Sequence, residues 1–158
     1  CVFDPLHAEF GFTLDVAASH INRKCETYCT LEGTFVRSFD DVNCALLTSS
    51  NGLEQSWGTN RVWCNPPFSN LLQWTEKHWD ERCEVSCLLL PANRQEQPFW
   101  QDNIEKFRDK PGSILTTRFL AKRRPFLHMG AGIGNRTSKS PPFGRVVCIW
   151  DRRDPRAK

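Results

Sequence analysis

The chain has 158 residues, 11% of them aromatic and 25% charged, with a net charge of +3. That length is enough for one domain with a sizeable core, and with six Trp and eleven Phe a disordered tail is not expected. No apolar run approaches the roughly 20 residues of a membrane-spanning helix, and the first residues are not expected to be a signal peptide.

The first residue is Cys1, and a domain trimmed at its N-terminus is expected. Phe3–Phe10 is a short amphipathic stretch that predicts a helix, with Gly11 as its stop. Residues 12–18 read as a buried strand running into small residues, and Ser19 as the N-cap of a helix beginning near His20. Residues 33–52, irregular and rich in Thr, Ser, Asp, Asn and Gly, read as a loop, with 33–50 insertion-like. Arg61–Cys64 is a short strand. Ser69 can cap a helix from about 70 to 82, with Leu71, Leu72, Trp74, His78 and Trp79 on roughly one side. Residues 85–90 form a continuous apolar strand, as at the centre of a parallel sheet, and Pro91 ends it. Pro98 opens a helix reaching about Arg108, stopped by Pro111-Gly112. Strands follow at 113–120, near 126–129 and at 145–150, and then a basic tail over 151–158. Strands alternating with helices before a terminal strand pair predict a single α/β domain over 1–158. Its mostly parallel sheet is flanked by helices and carries an antiparallel hairpin at one edge.

The cysteines invite a zinc reading, because Cys25 and Cys29 share a C-x3-C spacing with Cys83 and Cys87. Zinc knuckles are tighter and loop-borne, whereas Cys87 and Cys148 sit inside apolar runs. Small buried hydrophobes in a reducing, intracellular compartment (bacterial cytoplasm or a nucleus) are expected, with no metal. Basic residues crowd the C-terminal third: Lys122, Arg123 and Arg124, then Arg136, Lys139, Arg145, Arg152, Arg153, Arg156 and Lys158. A solvated face explains such a cluster, and so does a phosphate-contacting stripe. On the second reading Lys122, Arg123, Arg124, Arg136 and Lys139 are candidate nucleic-acid-binding residues.

Asn65-Pro66-Pro67-Phe68 follows the apolar run Val62-Trp63-Cys64 and precedes a helix-like segment. Taken alone the four residues suit a turn, since X-Pro-Pro ends a strand without any chemistry. They also suit a pocket for an exocyclic amine. The Asn carbonyl accepts one N–H, a backbone carbonyl beside a proline accepts the second, and the aromatic stacks on a planar base. Ligands of parallel α/β sheets bind beyond the carboxyl ends of the strands, where Asp15 and Asn65 are both expected.

Several segments together resemble the small phage-type, Dam-like N6-adenine DNA methyltransferases. They are Phe3-Asp4 through Gly11-Phe12-Thr13-Leu14-Asp15-Val16-Ala17-Ala18-Ser19, Asn22 with Lys24-Cys25, and Asn51-Gly52-Leu53 with Trp57-Gly58. The others are Val62 through Ser69 with Trp74, Leu88-Leu89-Leu90-Pro91-Ala92, Arg118-Phe119, and residues 140–149. The resemblance implies a Rossmann-like S-adenosylmethionine-dependent methyltransferase acting on adenine in DNA by base flipping. It implies catalytic roles for Asn65, Pro66, Pro67 and Phe68. It places Asp15, Ala17, Ala18 and Ser19 at the methyl donor, the Asp15 carboxylate on its α-ammonium, and Asn51 near its adenosine.

The chain departs from the family pattern in four ways. Residues 33–50 are longer than the usual connection, the Thr-Pro turn expected before residue 1 is not in this sequence and is expected to have been trimmed away, Phe replaces the commoner Tyr at 68, and Asn replaces Asp at 51. No segment has the size of a target-recognition domain, so either weak specificity or a partner subunit or homodimer supplying recognition is expected. Gly130-Ala131-Gly132-Ile133-Gly134 mimics a nucleotide-binding loop, but no clean strand-to-helix transition surrounds it, and a hairpin connection is expected. RNA adenine and protein glutamine methyltransferases share the tetrapeptide but usually carry a glycine-rich loop after the first strand, which Asp15-Val16-Ala17-Ala18 lacks. A catalytically decayed nucleic-acid-binding module or partner subunit is the rival from another class. Asn51 suits it and the intact tetrapeptide opposes it.

Overall fold

The computed structural model describes residues 1–30, 35–36, 51–121 and 143–153. Its elements are α1 (Phe3–Phe10), β1 (Leu14–Ala18), β2 (Thr27–Thr30), the two-residue β3 (Phe35–Val36), β4 (Arg61–Cys64), α2 (Leu71–Asp80), β5 (Val85–Pro91), α3 (Pro98–Trp100), β6 (Leu115–Phe119) and β7 (Arg145–Asp151). The strands form one mixed sheet in the order β3-β2-β1-β4-β5-β7-β6. β2, β1, β4 and β5 run parallel, while β7 is antiparallel to both β5 and β6. The parallel sheet with an antiparallel C-terminal pair is thus present. The expected strand near 126–129 lies outside the described residues, as do the glycine segment 130–134 and most of the 33–50 loop.

Alternation along the strands explains the layers, because successive side chains point to opposite faces. Leu14, Val62, Cys64, Leu88, Leu90, Val146 and Cys148 pack against Leu71 and Trp74 of α2 and Phe99 and Trp100 of α3. Trp63, Val85, Cys87, Leu89, Val147 and Ile149 face the other way, onto Phe3, Leu6 and Phe10 of α1. The helix α1 stops at Gly11, whose φ of 63° is a left-handed conformation and whose amide donates to the His7 carbonyl at 2.7 Å. Arg118 of β6 forks onto Glu9 of α1 at 2.5 and 2.7 Å, fastening the helix to the sheet edge.

Four expectations need correction. No helix follows Ser19. Instead its amide donates to Asn22 Oδ1 (2.7 Å) and its Oγ accepts the Asn22 amide (3.3 Å), which closes a single turn before β2. Parallel strands normally need a crossover of a dozen or more residues. Here residues 19–26 suffice because the strands are short: a five-residue strand rises roughly 17 Å, and eight extended residues reach about 26 Å.

Nor does Ser69 cap α2. The N-cap position is Asn70, without a side-chain cap bond, and Asn70 Nδ2 donates instead to the Gln73 side chain. On α2 itself Leu71, Trp74, Thr75 and His78 are buried at helical spacing, but Leu72 is exposed. The segment opened by Pro98 is α-helical only to Trp100 and continues as a π-helix over Gln101–Glu105. A π turn brings residues five apart together, and Trp100 Nε1 donates to Glu105 Oε2 at 2.8 Å. Finally, Arg145 and Arg152 are not part of a solvated or phosphate-facing stripe. Arg145 is buried in β7, and Arg152 donates to the His78 carbonyl at 2.8 Å, while exposed Arg153 pairs with Asp151.

Candidate active site

β4 ends at Cys64 because Pro66 has no amide to continue the ladder. Asn65 and Pro67 are exposed there, Pro66 is buried, and Phe68 is half-buried. Contacts from Arg94 and Phe143 help to fix Phe68. Its carbonyl accepts Arg94 Nη1 at 3.2 Å, the Arg94 guanidinium stands 6.0 Å from the ring centre, and Phe143 meets the ring edge-on at 5.8 Å. Phe143 is placed by its neighbour, since the Gly144 carbonyl accepts the Ala92 amide (2.9 Å) where β5 leaves the sheet. An open cleft of about 350 Å³ lies beside Phe68, between the starts of α2 and α3.

The second part of the site is the exit of β1. Asp15 is not at the carboxyl end as expected. It is the second residue of β1, paired with Trp63, which lies two positions before Asn65. It is nine-tenths or more buried, with Oδ2 accepting the Lys24 amide (3.0 Å) and Oδ1 the Ala17 amide (3.3 Å). The second bond has a structural cause. The register with β2 slips between Asp15 and Ala18, and a bulge frees an amide that the carboxylate takes. Burial pushes the Asp15 carboxyl up to about 6, opposed by the two backbone amides and by Lys24. Ala17 and Ala18 are buried and Ser19 is exposed at the end of this segment.

Residues 51–57 form a turn docked on the bulge. Asn51 Oδ1 accepts the Leu53 amide at 2.9 Å, and the Asn51 carbonyl accepts the amides of Glu54 and Gln55. Gly52 lies so close to β1 that a Cβ there would stand 2.0 Å from the Val16 carbonyl oxygen. Trp57, fully buried, donates Nε1 to the Gly52 carbonyl (2.8 Å), and its amide donates to Glu81 Oε2 (3.0 Å). Glu81 is held in turn by Lys77 at 2.6 Å.

The structure therefore docks the Asn51 turn on Val16 of β1, whose carboxyl end carries Ala17 and Ala18 and leads into Ser19, with Asn65 leaving the adjacent parallel strand at the same end of the sheet. Asp15 is close by but turned into the protein. Sequence reasoning missed Gly52, Arg94 and Phe143 as site-shaping residues. The Asn-Gly-Leu tripeptide was the only signal for the first; for the others there was none, because their partners are distant in sequence. Lys122, Arg123, Arg124, Arg136 and Lys139 lie outside the described residues. The described cysteines are all thiols, buried except Cys1, and burial pushes Cys25 and Cys29 up to about 12. Among the described residues no group of three His, Cys, Asp or Glu is placed to hold a metal, and no helix is long and apolar enough to cross a membrane.

A family model described as DNA N-6-adenine-methyltransferase (Dam) matches residues 1–109, more than half of the chain, and the chain belongs to that family. The comparison with curated proteins gives no match. Family membership makes DNA the expected substrate and S-adenosylmethionine the implied methyl donor. The matched stretch contains β1, the Asn51 turn, the tetrapeptide and the π-helix, and ends before β6.

Proposed function

We propose that this chain transfers the methyl group of S-adenosylmethionine to the exocyclic N6 amine of adenine in DNA, on a Rossmann-like sheet. The observation that carries the reading is the position of Asn65-Pro66-Pro67-Phe68. It stands at the carboxyl end of a central parallel strand, next to the edge where the Asn51 turn closes on β1.

The residues around that turn fit the donor. Ala17 and Ala18 carry almost no side chain at the exit of β1, so the backbone admits close approach. Asp15 is an under-compensated buried acid, since burial outweighs its two amide bonds, and a nearby ammonium group would offset that imbalance. When bound, S-adenosylmethionine supplies a methyl group on a sulfonium, which is already an activated electrophile. The protein then needs neither a nucleophilic side chain nor a metal.

Catalysis is positioning. The Asn65 side-chain carbonyl and the Pro66 backbone carbonyl accept the two amine hydrogens, which fixes the nitrogen and stabilises the positive charge it gains as the nitrogen–methyl bond forms and the methyl–sulfur bond breaks. The demethylated thioether leaves, and the strongly acidic methylated amine gives one proton to solvent. Phe68 stacks on the base. A base inside a duplex cannot reach a strand end, so the adenine is flipped out. Lys122, Arg123, Arg124, Arg136 and Lys139 are proposed to neutralise phosphates along the same DNA, with target selection supplied by a partner subunit or a second copy.

The test is transfer of labelled methyl to DNA followed by nucleoside analysis. N6-methyladenine is expected from the wild type. Asn65→Ala is expected to lose about 10²- to 10³-fold in turnover while keeping the thermal shift given by the donor's demethylated product. Near-normal turnover in that variant overturns the mechanism.

A further inference from the structure

Arg94 has no task in the scheme above, yet among the described residues its guanidinium stands over the tetrapeptide's aromatic. It sits in the segment after β5, donates Nη1 to the Phe68 carbonyl at 3.2 Å, and holds its guanidinium 6.0 Å from the Phe68 ring centre. Among the described residues no carboxylate forms an ion pair with it. A guanidinium carries five N–H donors in a planar fork, and the Phe68 carbonyl occupies one.

Arg94 also lines the open cleft of about 350 Å³ beside Phe68. The other polar side chains there are neutral (Ser69, Asn70, Gln97), the apolar part comes from residues such as Leu71 and Phe99, and among the described residues no acid lines it. A cation that no described carboxylate pairs with, neutral donors at the rim and an apolar floor suit a group that is anionic at one end and apolar at the other. A nucleotide with its phosphodiester has that character. Arginine is also the side chain whose fork matches phosphate geometry.

We infer that Arg94 binds the acceptor strand, holding a phosphodiester beside the nucleotide presented to the tetrapeptide while the same guanidinium braces Phe68. The inference rests on the DNA-methylation reading. It makes seating of the phosphate and placement of the stacking ring a single event.

Binding of the chain to a mixed-sequence DNA duplex across a salt series tests this. Arg94→Gln is expected to weaken binding on all sequences and to make the slope of log K against log salt shallower by about 0.9, whereas Arg94→Lys keeps the wild-type slope. The thermal shift given by the donor's demethylated product is expected to be unchanged in both, which separates phosphate contact from a folding defect. A duplex with neutral methylphosphonates flanking each adenine lowers the slope for both proteins, and on it the difference between wild type and Arg94→Gln is expected to vanish. A slope on the ordinary duplex that is unchanged in Arg94→Gln, or a difference that persists on the neutral duplex, overturns the inference even if turnover falls, because Arg94 would then only brace Phe68. Wild-type binding with an Arg94-dependent slope but no N6-methyladenine leaves Arg94 standing and removes the proposed reaction. Failure of the wild type to bind duplex at all overturns both.

Discussion

An alanine at position 52 would bring its Cβ to 2.0 Å from the Val16 carbonyl oxygen and 2.9 Å from the Val16 carbonyl carbon. Backbone atoms in a buried strand cannot yield by that much without breaking the ladder. Gly52 is therefore required for close approach, and backbone conformation is not the reason. Gly52→Ala is expected to cost about 3 kcal/mol or more, read from the denaturant midpoint, and to lower donor affinity as the Asn51 turn lifts off β1. Asp15 is constrained differently. Its carboxylate repairs the bulge that lets β1 curve into Ala17 and Ala18, so its local task is structural, and its charge is available to a donor only through proximity.

At the scale of elements, the 51–57 turn is held from below by α2. Glu81 accepts the Trp57 amide at 3.0 Å and pairs with Lys77 at 2.6 Å, and both side chains of the ion pair are largely removed from solvent. Glu81→Ala would orphan the Trp57 amide and leave Lys77 without its partner. The expected cost is about 1–3 kcal/mol in urea unfolding. A weaker donor titration is expected with it, while DNA binding without donor stays unchanged. Unaltered donor affinity would show that the turn is anchored by Gly52 and Trp57 alone. The π-helix follows the same logic, since Glu105 receives both the Trp100 indole and the Arg108 guanidinium (2.9 Å).

Across the whole molecule, two buried titratable groups pull stability in opposite directions with pH. Asp15 is raised from 3.8 to about 6 by burial, so between those values the folded state binds more protons than the unfolded. Its contribution is fully present below pH 3.8 and is lost as pH rises through about 6, on the order of 3 kcal/mol in all. His78, by contrast, is fully buried, stacked 4.7 Å from Trp150, with neither ring nitrogen bonded among the described residues. Burial first, then the Arg152 charge, holds it well below its ordinary value. Its contribution is present above about 6.5 and is lost as pH falls, at up to about 1.4 kcal/mol per pH unit. His78→Phe keeps the stacking ring and is expected to flatten the acid side of a stability–pH curve below about 6.5. Asp15→Asn is expected to remove the decline between about 4 and 6. A curve unchanged by His78→Phe would mean that the ring already exchanges protons freely in the folded state.

Much of this protein could be read directly from the chain. The short helix stopped by Gly11, the apolar strands around Val62 and Leu88 and the antiparallel C-terminal pair follow from local periodicity. The tetrapeptide announced itself because strand, prolines and aromatic are contiguous, and backbone stereochemistry alone places them at a strand end. What local pattern could not carry was anything that depends on a distant partner. A single-turn Ser19–Asn22 motif imitated a helix start, because both use the same hydroxyl-to-amide bond. Arg145 and Arg152 read as solvent-facing until β7 and the end of α2 enclosed them. The requirement for glycine at 52, the depth of Asp15 inside β1, and the meeting of Arg94 and Phe143 on Phe68 were decided only by the tertiary structure. Each is a contact between residues far apart in the chain, fixed when strands pair in register and helices close over them.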